Sequence, residues 1–261
     1  MPIVDSAGAR IYWEQSGTGD PILLIMGLGY AHQMWFRTQP LLETKYQTIL
    51  FDNRGVGMSD VPPGPYPIAQ MAADAAAVMT AAGLDRAHVY GVSMGGMIAQ
   101  QFALDYPDRV NKLILGCTAS GGPHAVRAKD EVMKVLMARA TMTVEEGSEA
   151  MVPFIYDHST PRARIDEDLT IRRSVYPTEQ GYMGQVSGIM SWTCYDRLGE
   201  IRAPTLVIHG ETDELVPPGN GRLIAERIPN AKLVMIPHAS HIYTTDQPEL
   251  SHQAIFDFLA S

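Results

Sequence analysis

Two apolar patterns alternate along the chain. Short continuous apolar runs at Pro21–Met26, Thr48–Phe51, Ala87–Tyr90, Val110–Leu115, Pro204–His209 and Lys232–Ile236 predict strands buried on both faces. Segments of helical period lie between them. Ile68, Met71, Ala72, Ala75, Val78, Met79 and Ala82 recur at i, i+3, i+4, i+7 spacing, which predicts a helix that Gly83 stops. Met94–Tyr106 predicts a second helix, ended by Pro107, and further helices are expected near Gly219–Arg227 and from Pro248. Ile11-Tyr12-Trp13, following Ser6-Ala7-Gly8, suggests an opening hairpin. Strands alternating with helices predict an α/β fold built on a mostly parallel sheet.

The alternation stops between Thr118 and Leu198. No strand-like run occurs there, and Pro153, Pro161, Pro177 and several glycines divide the segment into short helical pieces rich in methionine. The expected division is therefore a core from residues 1–117 and 199–261, with 118–198 inserted as a helical cap.

Composition narrows the function without identifying it. A net charge of −9 would repel phosphate backbones, so no nucleic-acid partner is expected. Cys117 and Cys194 have no metal-ligand spacing and are too few for a disulfide framework, so they are expected to be reduced core thiols. The chain opens without a basic or apolar leader-like segment, and its longest apolar stretch, 21–28, is too short to span a bilayer. A cytoplasmic protein without membrane association is the expectation, and nothing in the sequence gives its oligomeric state.

Gly91-Val92-Ser93-Met94-Gly95-Gly96 stands where a strand passes into a helix. A serine on so sharp a turn needs small neighbours for the chain to pass, and the following helix puts its positive end beside the hydroxyl. Serine is a weak nucleophile near neutral pH and needs a base oriented by a carboxylate. Around such a turn the order is serine, acid, histidine. Asp213 follows the strand ending at His209-Gly210, and His241 follows the strand ending at Ile236. Glu211 and Glu214 compete with Asp213, and His238 competes with His241. The other histidines, including His32, His88, His124, His158 and His252, are expected at the surface or in packing, and no pair has metal-site spacing. Backbone N–H groups of Met94 and of Leu28, in Met26-Gly27-Leu28-Gly29-Tyr30, are the candidate oxyanion donors.

With Asp52-Asn53-Arg54-Gly55-Val56-Gly57-Met58-Ser59, Gly210-Glu211-Thr212-Asp213 and Ala239-Ser240-His241, these motifs make the chain resemble the α/β-hydrolase superfamily over essentially its whole length. That resemblance implies an eight-stranded sheet flanked by helices, a Ser93–Asp213–His241 triad and no cofactor. It also implies a structural role for the 52–59 loop, with Arg54 tying loops near the site. Many relatives have histidine and glycine before the oxyanion residue, whereas this chain has Met26. That feature is similar to a subgroup of bacterial carboxylesterases, methylesterases and lactonases, and it removes any hydrogen bond a histidine would give the loop. Haloalkane dehalogenases and epoxide hydrolases of this fold use an aspartate nucleophile, which Ser93 disfavours.

Tyr30 and Trp35 from the oxyanion side, with Tyr156, Tyr182, Met183, Met190 and Trp192 from the cap, are candidate substrate contacts. Thioethers and flat rings suggest an adaptable apolar pocket that favours an uncharged acyl group. The expected partner is a small-molecule ester, and the expected activity is a carboxylesterase working through an acyl-enzyme. Lactone hydrolysis, for instance of acyl-homoserine lactones, is the alternative. A perhydrolase and a slowly turning-over ligand receptor are weaker ones.

Overall fold

The computed structural model describes residues 2–261. Eight strands, β1 (Ile3–Ser6), β2 (Ala9–Gly17), β3 (Asp20–Ile25), β4 (Tyr46–Phe51), β5 (Ala87–Val92), β6 (Val110–Gly116), β7 (Thr205–Gly210) and β8 (Lys232–Ile236), form one sheet in the order β1-β2-β4-β3-β5-β6-β7-β8. The β1–β2 hairpin and the β2–β4 pair are antiparallel, and every pair from β4 through β3 to β8 is parallel. This is the α/β-hydrolase sheet that the motifs implied.

Side-chain alternation explains why the sheet is covered on both faces. Leu23, Ile25, Val89, Leu113, Leu115 and Val207 face one way, against the helices Ile68–Ala81, Met94–Asp105 and Gly219–Arg227. Ile22, Leu24, Tyr90, Ile114, Leu206 and Ile208 face the other, where Trp35, Leu42 and the helix Pro248–Ala260 cover them. Residues 118–198 contribute helices at Asp130–Ala138, Val144–Glu149, Val152–Ile155, Arg162–Ser174 and Glu179–Met190, together with an isolated bridge between Gly121 and Thr193. Val132, Met151, Ile155, Tyr156, Ile165 and Leu169 give the helical part a small core of its own. Among the described residues, no helix is long and apolar enough to cross a membrane. Both cysteines are buried and unbridged.

Parallel topology sends the loops after β3, β5, β7 and β8 to one edge of the sheet. β3 leads to β4 on one side, while β5 returns to its other side, so a crevice opens between the β3 and β5 loops. The 52–59 loop has one of its anchors in Arg54. Arg54 donates Nε and Nη2 to the two carboxylate oxygens of Asp74, at 2.6 and 2.7 Å, and Nη2 also reaches the Ser6 carbonyl. It therefore ties the loop to the helix Ile68–Ala81 and to the opening hairpin.

Asp74 is fully buried, so Arg54→Met would strand its charge. The expected loss is about 3–5 kcal/mol of unfolding free energy, read by urea denaturation. Arg54→Met combined with Asp74→Leu should recover most of that loss.

Candidate functional site

Ser93 caps the helix Met94–Asp105 with φ 57° and ψ −122°, a left-handed backbone that a residue with a Cβ adopts only under restraint. The restraint comes from close packing. A Cβ on Gly91 would collide with the Gly95 carbonyl, one on Gly95 with the Ile25 carbonyl, and one on Gly96 with the Thr118 side chain. Ser93 N–H donates to the Gly116 carbonyl at 2.8 Å, and Thr118 Oγ1 donates to the Ser93 carbonyl at 2.7 Å.

The loop after β3 passes so close that a Cβ on Gly27 would lie 3.1 Å from Ser93 Cβ. Its shape is fixed from outside, by side chains of the 52–59 loop and of the helix Glu179–Met190. Asn53 Nδ2 donates to the Met26 carbonyl at 2.9 Å. Gln185, fully buried on the helix Glu179–Met190, accepts from Gly29 N–H at 2.8 Å and donates to the Arg54 carbonyl at 2.9 Å. Asp52 accepts from the backbone and Nδ1 of His32 and from Met58 N–H. The Leu28 and Met94 N–H groups have no acceptor among the described residues. Two uncommitted donors therefore flank the serine.

Asp213 lies in the turn after β7. Its Oδ1 accepts from Leu215 N–H at 2.9 Å and Val216 N–H at 2.8 Å, and its Oδ2 lies 2.8 Å from His241 Nδ1. Burial by itself would raise the pKa of this carboxyl. The charge of His241 and hydrogen bonds from His209 and His241 outweigh that effect and bring it down to about 2. His209 Nε2 is 2.7 Å from the Val216 carbonyl and 3.3 Å from Asp213 Oδ2, while its buried Nδ1 has no partner. These contacts are served by a proton on Nε2, whereas one on Nδ1 would be orphaned.

The competing residues lie elsewhere. Glu211 and His238 are exposed, and Glu214 pairs with Lys129. No hydrogen bond joins Ser93 Oγ to the His241 ring among the described residues, but both line the same cavity.

That cavity holds about 620 Å³, and Met26, Met97, Met133, Met151, Ile155 and Ile189 form much of its wall. Of the expected substrate contacts, Tyr30 and Met190 line it, with Met190 70% exposed. Trp35, Tyr156, Tyr182, Met183 and Trp192 do not. Trp35 packs 4.9 Å from Tyr90 in the opposite core. Hydroxyl or indole donors turn three of the others toward fixed acceptors: Tyr156 to Asp168, Tyr182 to the Leu136 carbonyl, and Trp192 to Gln101. Met183 is half-buried on the helix Glu179–Met190. The sequence reading missed Arg139, which lines the cavity while almost fully buried, as well as Gln185, His209 and Asp246.

Cys117, His209 and Asp213 bring potential ligand atoms within 4.8 Å of one another. The set suits packing better than a metal. Burial, reinforced by the Asp213 charge, pushes the Cys117 thiol well above its ordinary value, and both Asp213 oxygens are already engaged.

The sequence profile of the alpha/beta hydrolase fold family matches residues 20–140 and 137–244. The chain is 31% identical over 268 residues to carbamate hydrolase RutD of Azorhizobium caulinodans, provisionally so named, covering 99% of this chain and 98% of that one. It is 33% identical over 242 residues to the poly(3-hydroxyalkanoate) depolymerase of Ectopseudomonas oleovorans, covering 92% and 84%. The enol-lactonase of Burkholderia xenovorans LB400 superposes with a TM-score of 0.88 at 25% identity, over 100% of both chains.

Asp246 holds the His241 loop to the helical segment. Its Oδ2 accepts from Ser240 N–H at 2.7 Å and Asp157 N–H at 3.2 Å, and its Oδ1 accepts from Thr160 at 2.6 Å. Burial raises its pKa to about 6, with the nearby Asp157 charge adding to the effect and the hydrogen bonds opposing it. A carboxyl with a raised folded pKa destabilises the fold as pH climbs from its ordinary value to about 6. Asp246→Asn does not titrate, so its Tm relative to the parent should be more favourable at about pH 7.5 than at about pH 4.5. A thermal melt at both pH values checks this, and a pH-independent difference would mean that Asp246 titrates normally.

Proposed function

Because the chain belongs to the α/β-hydrolase fold family, we propose that it is a serine hydrolase that cleaves carboxylic esters through an acyl-enzyme, with Ser93, His241 and Asp213 as its triad. The observation that carries this reading is the buried Asp213–His241 pair opening into the same cavity as a serine held on a strained turn. Residues 118–198 act as the cap over that cavity.

With His241 Nδ1 occupied by Asp213, Nε2 is the nitrogen that takes the Ser93 proton as Oγ attacks the ester carbonyl. The developing oxyanion lies between the Leu28 and Met94 N–H groups, each donor of this kind being worth about 3–4 kcal/mol of barrier. His241 then gives its proton to the departing alcohol. Water enters, loses a proton to the same nitrogen and attacks the acyl carbon, and the imidazolium returns that proton to Ser93 Oγ as the acyl–Oγ bond breaks and the acid leaves. Asp213, with its pKa held at about 2, stays ionised and stabilises the imidazolium at each step. Ring opening of a lactone follows the same steps, except that the alcohol remains on the acyl group. Similarity to an enol-lactonase supports this as the second reading.

Hydrolysis of chromogenic esters of increasing acyl length, run beside lactones of matched size, tests the assignment. The parent should turn over many times, and Ser93→Ala should lose about 10⁴–10⁶-fold in kcat. Asp213→Asn should lose about 10⁴-fold, since it favours the wrong histidine tautomer. Preference for lactones would favour the second reading. A single burst without steady turnover would replace both with a ligand receptor.

A further inference from the structure

Three arginines are almost fully buried, and they differ in their partners. Arg54 has the Asp74 carboxylate. Arg139 is 3% exposed, lines the cavity that holds Ser93 and His241, and forms no ion pair among the described residues. Its Nε and Nη2 have no hydrogen-bond partner. The guanidinium is held by ring faces instead, 5.1 Å from the Tyr30 centroid, 5.3 Å from Tyr176 and 5.4 Å from Tyr182. Arg172 adds a second cation 4.6 Å over the same Tyr30 ring, also with two nitrogens unpartnered. The nearby acid, Asp168, is already engaged by Arg37, Tyr156 and Thr245. Asp130, also in the cavity wall, is exposed and makes no ion pair among the described residues.

Guanidinium does not lose its proton in proteins, and burying one without an anion forfeits its hydration. A guanidinium set in the wall of a largely apolar cavity fits a planar anion that arrives with the ligand. Resting on the hydrolase reading above, we propose that Arg139 binds an ionised carboxylate of the substrate. The cavity then takes esters or lactones that carry a free carboxylate besides the scissile group. This proposal departs from the uncharged acyl preference that the methionine-rich pattern suggested. The walls are apolar, but the cavity is not neutral.

The test compares kcat/KM for the mono-p-nitrophenyl ester of glutaric acid with that for p-nitrophenyl pentanoate, in the parent, Arg139→Lys and Arg139→Met. The parent should favour the hemiester by at least about 10-fold. That ratio should fall to about one or below in Arg139→Met and lie between in Arg139→Lys, which keeps the charge without the fork. A purely structural role would lower both substrates together and leave the ratio unchanged, which would overturn the proposal. So would a parent ratio near one. If the parent hydrolyses neither ester, the ester reading fails separately, and glutarate binding to Ser93→Ala decides. Calorimetric binding that weakens at least about 10-fold when Arg139→Met is added supports the anion site. Binding indifferent to Arg139, or absent, overturns it.

Discussion

The backbone at Ser93 turns through a conformation that costs about 1–3 kcal/mol for a residue with a side chain, and the site depends on what holds it there. The helix Met94–Asp105 begins so close to β3 that Gly95 packs on the Ile25 carbonyl, and Gly96 packs on Thr118 beyond β6. The serine is thus wedged between loops from the strands on both sides of its own. The same tightness brings Gly27 against Ser93, and Leu28 and Met94 line the cavity that Ser93 opens into. A looser turn would leave the strand order intact and separate these groups.

Charge in the site follows burial and pairing. Asp213 and Arg139 are both removed from water, but the protein surrounds only the first with partners. Two backbone N–H groups and two imidazoles hold the carboxylate ionised. Arg139 receives aromatic faces and no acid. Asp246 is intermediate, with three donors around a carboxyl whose burial still raises its pKa.

The sheet and the serine turn were legible because they rest on local patterns. Continuous apolar runs marked the strands, and the helices over 219–227 and from Pro248 start where the sequence placed them. Glycine at 91 and 95 announced a close passage. The residues facing the cavity were not legible. Trp35, Tyr182 and Trp192 had the right chemistry, but each packs into a core or reaches a fixed acceptor, and which of those happens depends on contacts distant in sequence. Gln185 has bonding partners 156 and 131 residues away, which no local pattern encodes. Arg139 did leave a faint trace: Val135, Leu136, Met142 and Thr143 occupy the positions where a solvated helical arginine would often find an acid.

The Gln185 amide fastens the helical segment to the loops beside Ser93. One side-chain group satisfies both a donor in the serine-side loop and an acceptor in the 52–59 loop. Exchanging this segment for that of another fold member, however well it packed, would leave the Gly29 N–H and the Arg54 carbonyl without partners unless an amide returned to the same spot. Segment and sheet are therefore constrained to change together, and recombination between relatives would tend to fail at this seam before it failed at the reacting groups.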